Sequence, residues 1–297
     1  MKMEKTFLKL QKLRKYIQNY TIQVLFISFL LLNQSFLSQV KVTYEVTYKP
    51  DSTESKFNKE EMSLKHFNGR SYFYNETKFK LDSLYDKVTA EFLKTGITPN
   101  VSLKYELNFG IYKDLTKQEI YEINNISSRN FIFKINLNKQ IWNIGRDTKK
   151  IHNYNCRKAT IKFGGRLWEA WFTDEIPIND GPYKFFGLPG LILEIYDTEK
   201  NYNFLAIGIS KQNDNFKLSS QFIRTSQDNF IKLKNRLIND PALFVRESIM
   251  KRNNVKMKGT DGNNLESSEL YDRITKEFNY FIKTHNNPIE KNTTWIR

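Results

Sequence analysis

Six carboxylates cluster in the middle of this sequence: Glu169, Asp174, Glu175, Asp180, Glu194 and Asp197. Two carboxylates at a suitable separation can perform glycosidic chemistry, one as acid and the other as base or nucleophile. Linear spacing does not say which two of the six would face each other, and carboxylates beside turns commonly sit in solvent. Nucleophile schemes are weaker. There is no G-x-S-x-G motif, and the single cysteine, Cys156, has only His152 as a nearby base. The pair His152/Cys156 in "HNYNC" has the spacing of two metal ligands on a helix, but it precedes a strand pattern. Only His66 and His285 remain elsewhere, so of the three readings of Cys156, a buried thiol, an intermolecular disulfide or a metal ligand, the buried thiol is favoured. Phosphate chemistry is absent: "FGLPGLILEI", Phe186 to Ile195, holds two glycines but neither G-x-G-x-x-G nor G-x-x-x-x-G-K. No cofactor motif appears.

The elements that would position these groups read mainly as strands. Val40, Val42, Tyr44, Val46 and Tyr48 alternate with Lys41, Thr43, Glu45, Thr47 and Lys49, the period of a strand with one buried face. "MSLKHFNGRSYFY" gives two β-rich runs around Asn68-Gly69, a two-residue hairpin signal. Leu84, Tyr85, Val88, Phe92 and Leu93 recur at helical spacing, after which "VSLKYELNFGIY", "NFIFKINL" and "QIWNI" resume the strand pattern. Cys156 to Phe163 and Arg166 to Thr173 form a hairpin about Gly164-Gly165, with Ala159, Ile161 and Phe163 on one face beside Trp168, Ala170 and Phe172.

In "IPINDGPYKFFGLPGLI", Pro177, Gly181 and Pro182 turn the chain. Pro189 and Gly190 fit a type II turn over Leu188 to Leu191, with Gly190 at positive φ. Gly187 leaves room for a close approach, and Leu191 and Ile192 open an apolar strand. From Asp228 the texture becomes helical: Phe230, Leu233 and Leu237, then Phe244, Val245 and Ile249 after Asp240-Pro241, then Leu270, Ile274, Phe278 and Phe281. The fold expected is α+β, with a mainly antiparallel, strongly curved or partly open barrel-like sheet over residues 39–225. Helices over 226–297 pack on it, and 39–297 form one domain.

Residues 1–38 read as a signal peptide. Six basic residues from Lys2 to Lys15 precede the apolar run Val24 to Leu32. That run is short for a membrane span. Its removal takes six basic residues and Glu4 with it and lowers the formal charge from +15 to +10. The remaining excess is spread over loops without a clustered basic helix, which argues against nucleic acid and leaves an anionic membrane surface as a partner. One cysteine in an exported chain allows no internal disulfide, so stability must come from the core.

The run from Cys156 to Asp197 resembles the signature of the GLPGLI family, exported proteins of Gram-negative bacteria. A Cys-x-Lys-Ala strand, a Gly-Arg hairpin, a Trp/Ala strand, Ile-Pro, Gly-Pro and Gly-Leu-Pro-Gly-Leu-Ile follow in that order. "FNGRSYFY" and "NNPIE" at Asn286 to Glu290 extend the likeness. The resemblance implies export to the periplasm or outer envelope and a mostly β domain. It supplies no reaction and no catalytic residue. The favoured reading is therefore a non-enzymatic binding or carrier module for an apolar or amphipathic ligand, with Trp168, Trp171, Tyr183, Phe185 and Phe186 lining a cavity. An accessory partner of an outer-membrane complex is the second reading, and a hydrolase using paired carboxylates the third.

Overall fold

The computed structural model describes residues 39–81, 84, 104–126, 129–136, 139–211, 221–251, 257–258 and 264–293, together with 16, 18, 20, 21 and 23. The helix expected after Asp82 lies outside these residues except at Leu84, and so do the apolar run and expected cleavage region of the leader. Among the described residues, no helix is long and apolar enough to cross a membrane.

Twelve strands form one sheet. β1 (Gln39–Tyr48), β2 (Asn58–Phe67), β3 (Arg70–Asn75), β4 (Phe109–Asp114), β5 (Glu119–Ile126) and β6 (Arg129–Ile135) pair in succession on one side. β7 (Asn143–Ile151), β8 (Tyr154–Phe163), β9 (Arg166–Thr173), β10 (Leu191–Asp197) and β11 (Tyr202–Lys211) do the same on the other. The two meanders join where β1 lies antiparallel to β11, from Val40↔Lys211 to Tyr48↔Tyr202. Pairing of β6 with β7 would close a barrel. Instead β6 takes the short β12 (Ile223–Arg224) in parallel, β7 ends the strand order among the described residues, and the sheet stays open. The expected antiparallel, barrel-like but open α+β architecture is the one observed.

Local chemistry explains the hairpins. Asn68 and Gly69 have φ of 48° and 73°, and Gly164 and Gly165 have 58° and 78°, the left-handed pair that a two-residue turn needs to match strand twist. β1 buries its expected face completely, with Val42, Tyr44, Val46 and Tyr48 inaccessible. Helices follow: α1 (Gln227–Asn239), α2 (Leu243–Lys251) and α3 (Ser267–Thr284). α1 is capped by the Ser226 hydroxyl and lays Phe230 against Phe133, with ring centroids 4.5 Å apart. Asp240 ends α1 and Pro241 precedes α2, which separates the two stripes as the proline requires.

The buried inner face of the sheet is packed by the chain between β9 and β10. Ile176, Ile178, Tyr183, Phe185 and Leu188 are all buried there. The Leu191 amide donates to Ile176 O at 3.0 Å and the Ile192 amide to Asp180 O at 3.0 Å, so the loop folds back on the strand that follows it. A C-terminal strap, Asn286 to Lys291, closes the same end. Arg166, buried on β9, donates to Asn287 Oδ1 at 2.6 Å, Pro288 O at 2.8 Å and Ile289 O at 2.9 Å, and pairs with Asp197 at 3.1 Å.

Candidate functional site

The inner face is held by charge as well as by apolar packing. The Lys113 ammonium on β4 has no exposed surface. It meets Asp180 Oδ1 at 2.5 Å and donates to Gly181 O at 2.7 Å and Tyr183 O at 3.1 Å. His66 Nδ1 lies 3.0 Å from Asp180 Oδ2. Burial would raise the Asp180 carboxyl, but Lys113 and His66 override it and hold it well below the usual carboxylate range. Lys184 is clamped between Glu122 at 2.6 Å and Glu290 at 2.5 Å, and the Tyr183 hydroxyl donates to Glu290 at 2.6 Å. These groups are saturated by protein partners and serve to fix the loop and strap.

The residues expected to line a cavity are for the most part core. Trp168 and Phe185 are inaccessible, with rings 4.9 Å apart, and Trp168 Nε1 donates to Phe163 O at 3.0 Å. Tyr183 is buried beside them. Phe186 is half-buried, and its carbonyl accepts from Trp142 Nε1 at 2.9 Å. Pro182, Gly181, Leu188, Leu191 and Ile192 are buried in the same loop and strand, whereas Pro177 and Pro189 lie on its exposed outer bends.

The two glycines exchange the roles expected of them. Gly187, not Gly190, has positive φ, at 92°, and a Cβ there would meet nothing within 4 Å. Gly190 is the close-approach position: its Cβ would fall 2.0 Å from the carbonyl oxygen of Thr173. The reason is the pairing of Leu191 with Thr173, which brings the turn directly over the end of β9.

Cys156 is buried, its thiol 3.7 Å from Tyr154 O and pushed up to about 11 by burial. His152, in the β7–β8 turn, donates from Nε2 to Ala206 O at 2.6 Å, so the pair forms no ligand set. Among the described residues no three His, Cys, Asp or Glu side chains gather as metal ligands.

Of the six candidate carboxylates, the structure brings two from different strands, Glu169 and Glu194, onto one patch of the outer face. Asp174 and Glu175 are exposed, the first 3.4 Å from Arg157 and the second accepting the Asn155 amide at 2.8 Å. Asp180 and Asp197 are buried in the pins described above. Glu169 and Glu194 project from β9 and β10 on the outer face of the sheet. Glu194 is opposite Trp171 and Tyr196 opposite Glu169, so the two residues are diagonal neighbours, their strand positions roughly 7–8 Å apart.

Lysines and rings complete the patch. Lys149 crosses the Trp171 ring, 4.4 Å from its centroid, to pair with Glu194. Lys158 pairs with Glu169 at 3.0 Å, and the Tyr196 hydroxyl donates to Glu169 at 2.9 Å. Lys158, with Tyr196 behind it, holds Glu169 below its ordinary value, and Glu169 in return raises Lys158. At neutral pH Glu169 is therefore a base and Lys158 a cation. A groove of about 330 Å³ opens beside Glu194 and Tyr196, walled by Thr47, Phe57, Lys149 and Asn203. Such a set can polarise water, accept protons and stabilise developing negative charge. The sequence signal for the missed residues Lys149, Lys158 and Tyr196 was the polar half of the alternation in β7, β8 and β10.

A family model described as "N-glycanase peptide, N-terminal domain" matches residues 98–235. The match spans β4 to β12 and most of α1. It replaces the GLPGLI family expected from the Cys156–Asp197 run, whose glycines and prolines shape the inner loop and carry no chemistry of their own. It also overturns the expectation of a non-enzymatic carrier of unknown activity, since the matched family is named for an N-glycanase. No curated protein matches the chain. Two crystal structures of PNGF-II, in space groups C2 and P21, align with TM-scores of 0.45 and 0.46 at 17% and 16% identity. They cover 65% and 66% of this chain and 31% and 32% of theirs, so the chain spans about a third of their length.

Proposed function

We propose that this protein acts in the hydrolytic removal of N-linked glycans from peptides, with the outer-face patch as its working surface. The observation that carries the reading is the N-glycanase family match over residues 98–235, a stretch that contains Lys149, Lys158, Glu169, Trp171, Glu194 and Tyr196 alike. Glu194 is the base that takes a proton from the water attacking the carbonyl carbon, and it returns that proton to the sugar-bearing nitrogen as the C–N bond breaks. Lys149 and Lys158 supply positive charge where the carbonyl oxygen becomes negative, and Glu169 with Tyr196 keeps Lys158 in place. The basic and apolar leader at residues 1–38 supports placing this activity outside the cytoplasm, where glycopeptides are met.

The test is incubation of the full chain with an N-glycosylated peptide, read by mass spectrometry for deglycosylated product. Glycan release is expected, falling by about 100-fold or more in Glu194→Gln, the magnitude of a lost general base. Glu45→Gln, on the same face and paired with Lys59 at 2.8 Å, should leave the rate unchanged. No release by the unaltered chain, or equal rates in all three proteins, would overturn the reading.

A further inference from the structure

A second recess opens where the sheet edge steps back. β7 begins at Asn143, which pairs with Thr160, so Ile161, Lys162 and Phe163 at the end of β8 have no β7 partner beside them. The space left is a cleft of about 650 Å³. Its outer wall is the chain at residues 139–142, and this wall is fixed in place. Gln140 donates to Lys184 O at 2.7 Å and accepts the Phe186 amide at 3.1 Å, and Trp142 donates to Phe186 O. The recess is preformed by bonds to the inner loop.

Its chemistry is one-sided. The lining holds Lys139 and Lys162, both exposed, and no Asp or Glu. Neither lysine has an ion-pair partner among the described residues, whereas Lys149, Lys158 and Lys184 all have carboxylates. Asn143 and Thr160 add hydroxyl and amide groups. Ile141 and Leu167, 81% and 42% exposed, add apolar surface suited to the C–H face of a pyranose. Position is the second argument. Thr160 lies directly opposite Glu169 in the β8–β9 register, so the cleft abuts the carboxylate patch on the same face.

We infer that this cleft is a subsite for an anionic sugar, a glycan unit bearing a sulfate, phosphate or carboxylate, held by Lys139 and Lys162 while the rest of the glycan runs past Thr160 toward Glu169. An ammonium meets such an anion as a point charge, and an unpaired exposed lysine needs no partner displaced to do so. The inference rests on the proposed glycan-directed activity for the course of the chain, but the binding it asserts does not require hydrolysis.

The experiment is calorimetric binding by the full chain of two oligosaccharides identical but for one sulfate, with inorganic sulfate alone as a third probe. The sulfated sugar should bind about tenfold tighter than the neutral one. The difference should shrink with added salt and vanish in Lys139→Gln/Lys162→Gln, whose Tm should be unchanged because both side chains are exposed and unpaired. Equal affinity for both sugars, or a preference that survives the double substitution, overturns the inference. Inorganic sulfate bound as tightly as the sulfated sugar overturns the glycan assignment and leaves a simple anion site. Glycan release without discrimination would sink this inference and leave the proposed activity standing. Discrimination without release would do the reverse.

Discussion

Gly190 and Gly187, three residues apart in one loop, should respond to the same substitution for opposite reasons. A Cβ at Gly190 would lie 2.0 Å from Thr173 O, 2.6 Å from Thr173 C and 2.9 Å from Asp174 N, all backbone atoms. No rotamer change relieves such a contact. The turn must withdraw by roughly 1 Å or more, which pulls Leu191 from its pairing with Thr173 and from Ile176 O, its acceptor at 3.0 Å. Overpacking of this kind costs about 1–3 kcal/mol, and a weakened buried hydrogen bond adds about 1 kcal/mol, so Gly190→Ala should lose about 2–4 kcal/mol. Gly187 is exposed and has open space around it. Gly187→Ala meets only the intrinsic cost of a left-handed φ, about 1–2 kcal/mol, part of which is offset by a stiffer unfolded chain. At about 2–4 °C per kcal/mol for a chain of this size, Gly190→Ala should melt several degrees below Gly187→Ala. Urea titration with unchanged m-values would give the same order. A Gly190→Ala within about 0.5 kcal/mol of the unaltered protein, or a reversed order, refutes the close-approach account.

Two further outcomes follow from the buried groups. Asp180 has a depressed carboxyl in the folded state, so its contribution is complete above the ordinary carboxylate value of about 3.9 and is lost as pH falls below it; the acid limb of the stability curve should be shallower in Asp180→Asn by up to about 1.4 kcal/mol per pH unit, and identical slopes would remove Asp180 from the acid response. Cys156, buried and with its thiol pushed up to about 11, should ignore a disulfide reagent at pH 8 in the native protein and react with one equivalent in urea, whereas stoichiometric native labelling would show that β8 is not packed as described.

What was legible in the sequence was what neighbouring residues decide. The β1 alternation, the Asn68-Gly69 and Gly164-Gly165 turns and the Phe230/Leu237 stripe each follow from a local period or a local φ requirement, and each appears in the fold. Pairings over long separations were not legible. Nothing near Val40 announces Lys211 as its partner, and nothing near Arg166 announces that "NNPIE" will lie across it. The turn at Gly190 shows the same limit in miniature: a Pro-Gly pair satisfies a type II turn and a close approach equally well, and only the position of β9 decides between them. The choice of Glu169 and Glu194 from six carboxylates likewise needed the register of β9 against β10.

The two faces of the sheet divide the polar groups in a way that bears on where chemistry can occur. Inside, Lys113, Lys184 and Arg166 are each held by carboxylates and carbonyls of the loop and strap, so these three cations are already engaged and have little charge to offer a solute. Buried pairs of this kind break roughly even against apolar side chains, and their effect is to select one loop conformation over others that would bury the same aromatic rings. Outside, Lys149 and Lys158 meet their carboxylates at positions that water and ligands reach, and Lys139 and Lys162 meet none among the described residues. A ligand that brings oxygen atoms to the outer face can trade contacts with these groups. One brought to the inner face would first have to unseat the strap from Arg166 and the loop from Lys113, and with them the Leu191–Thr173 register that places Glu194.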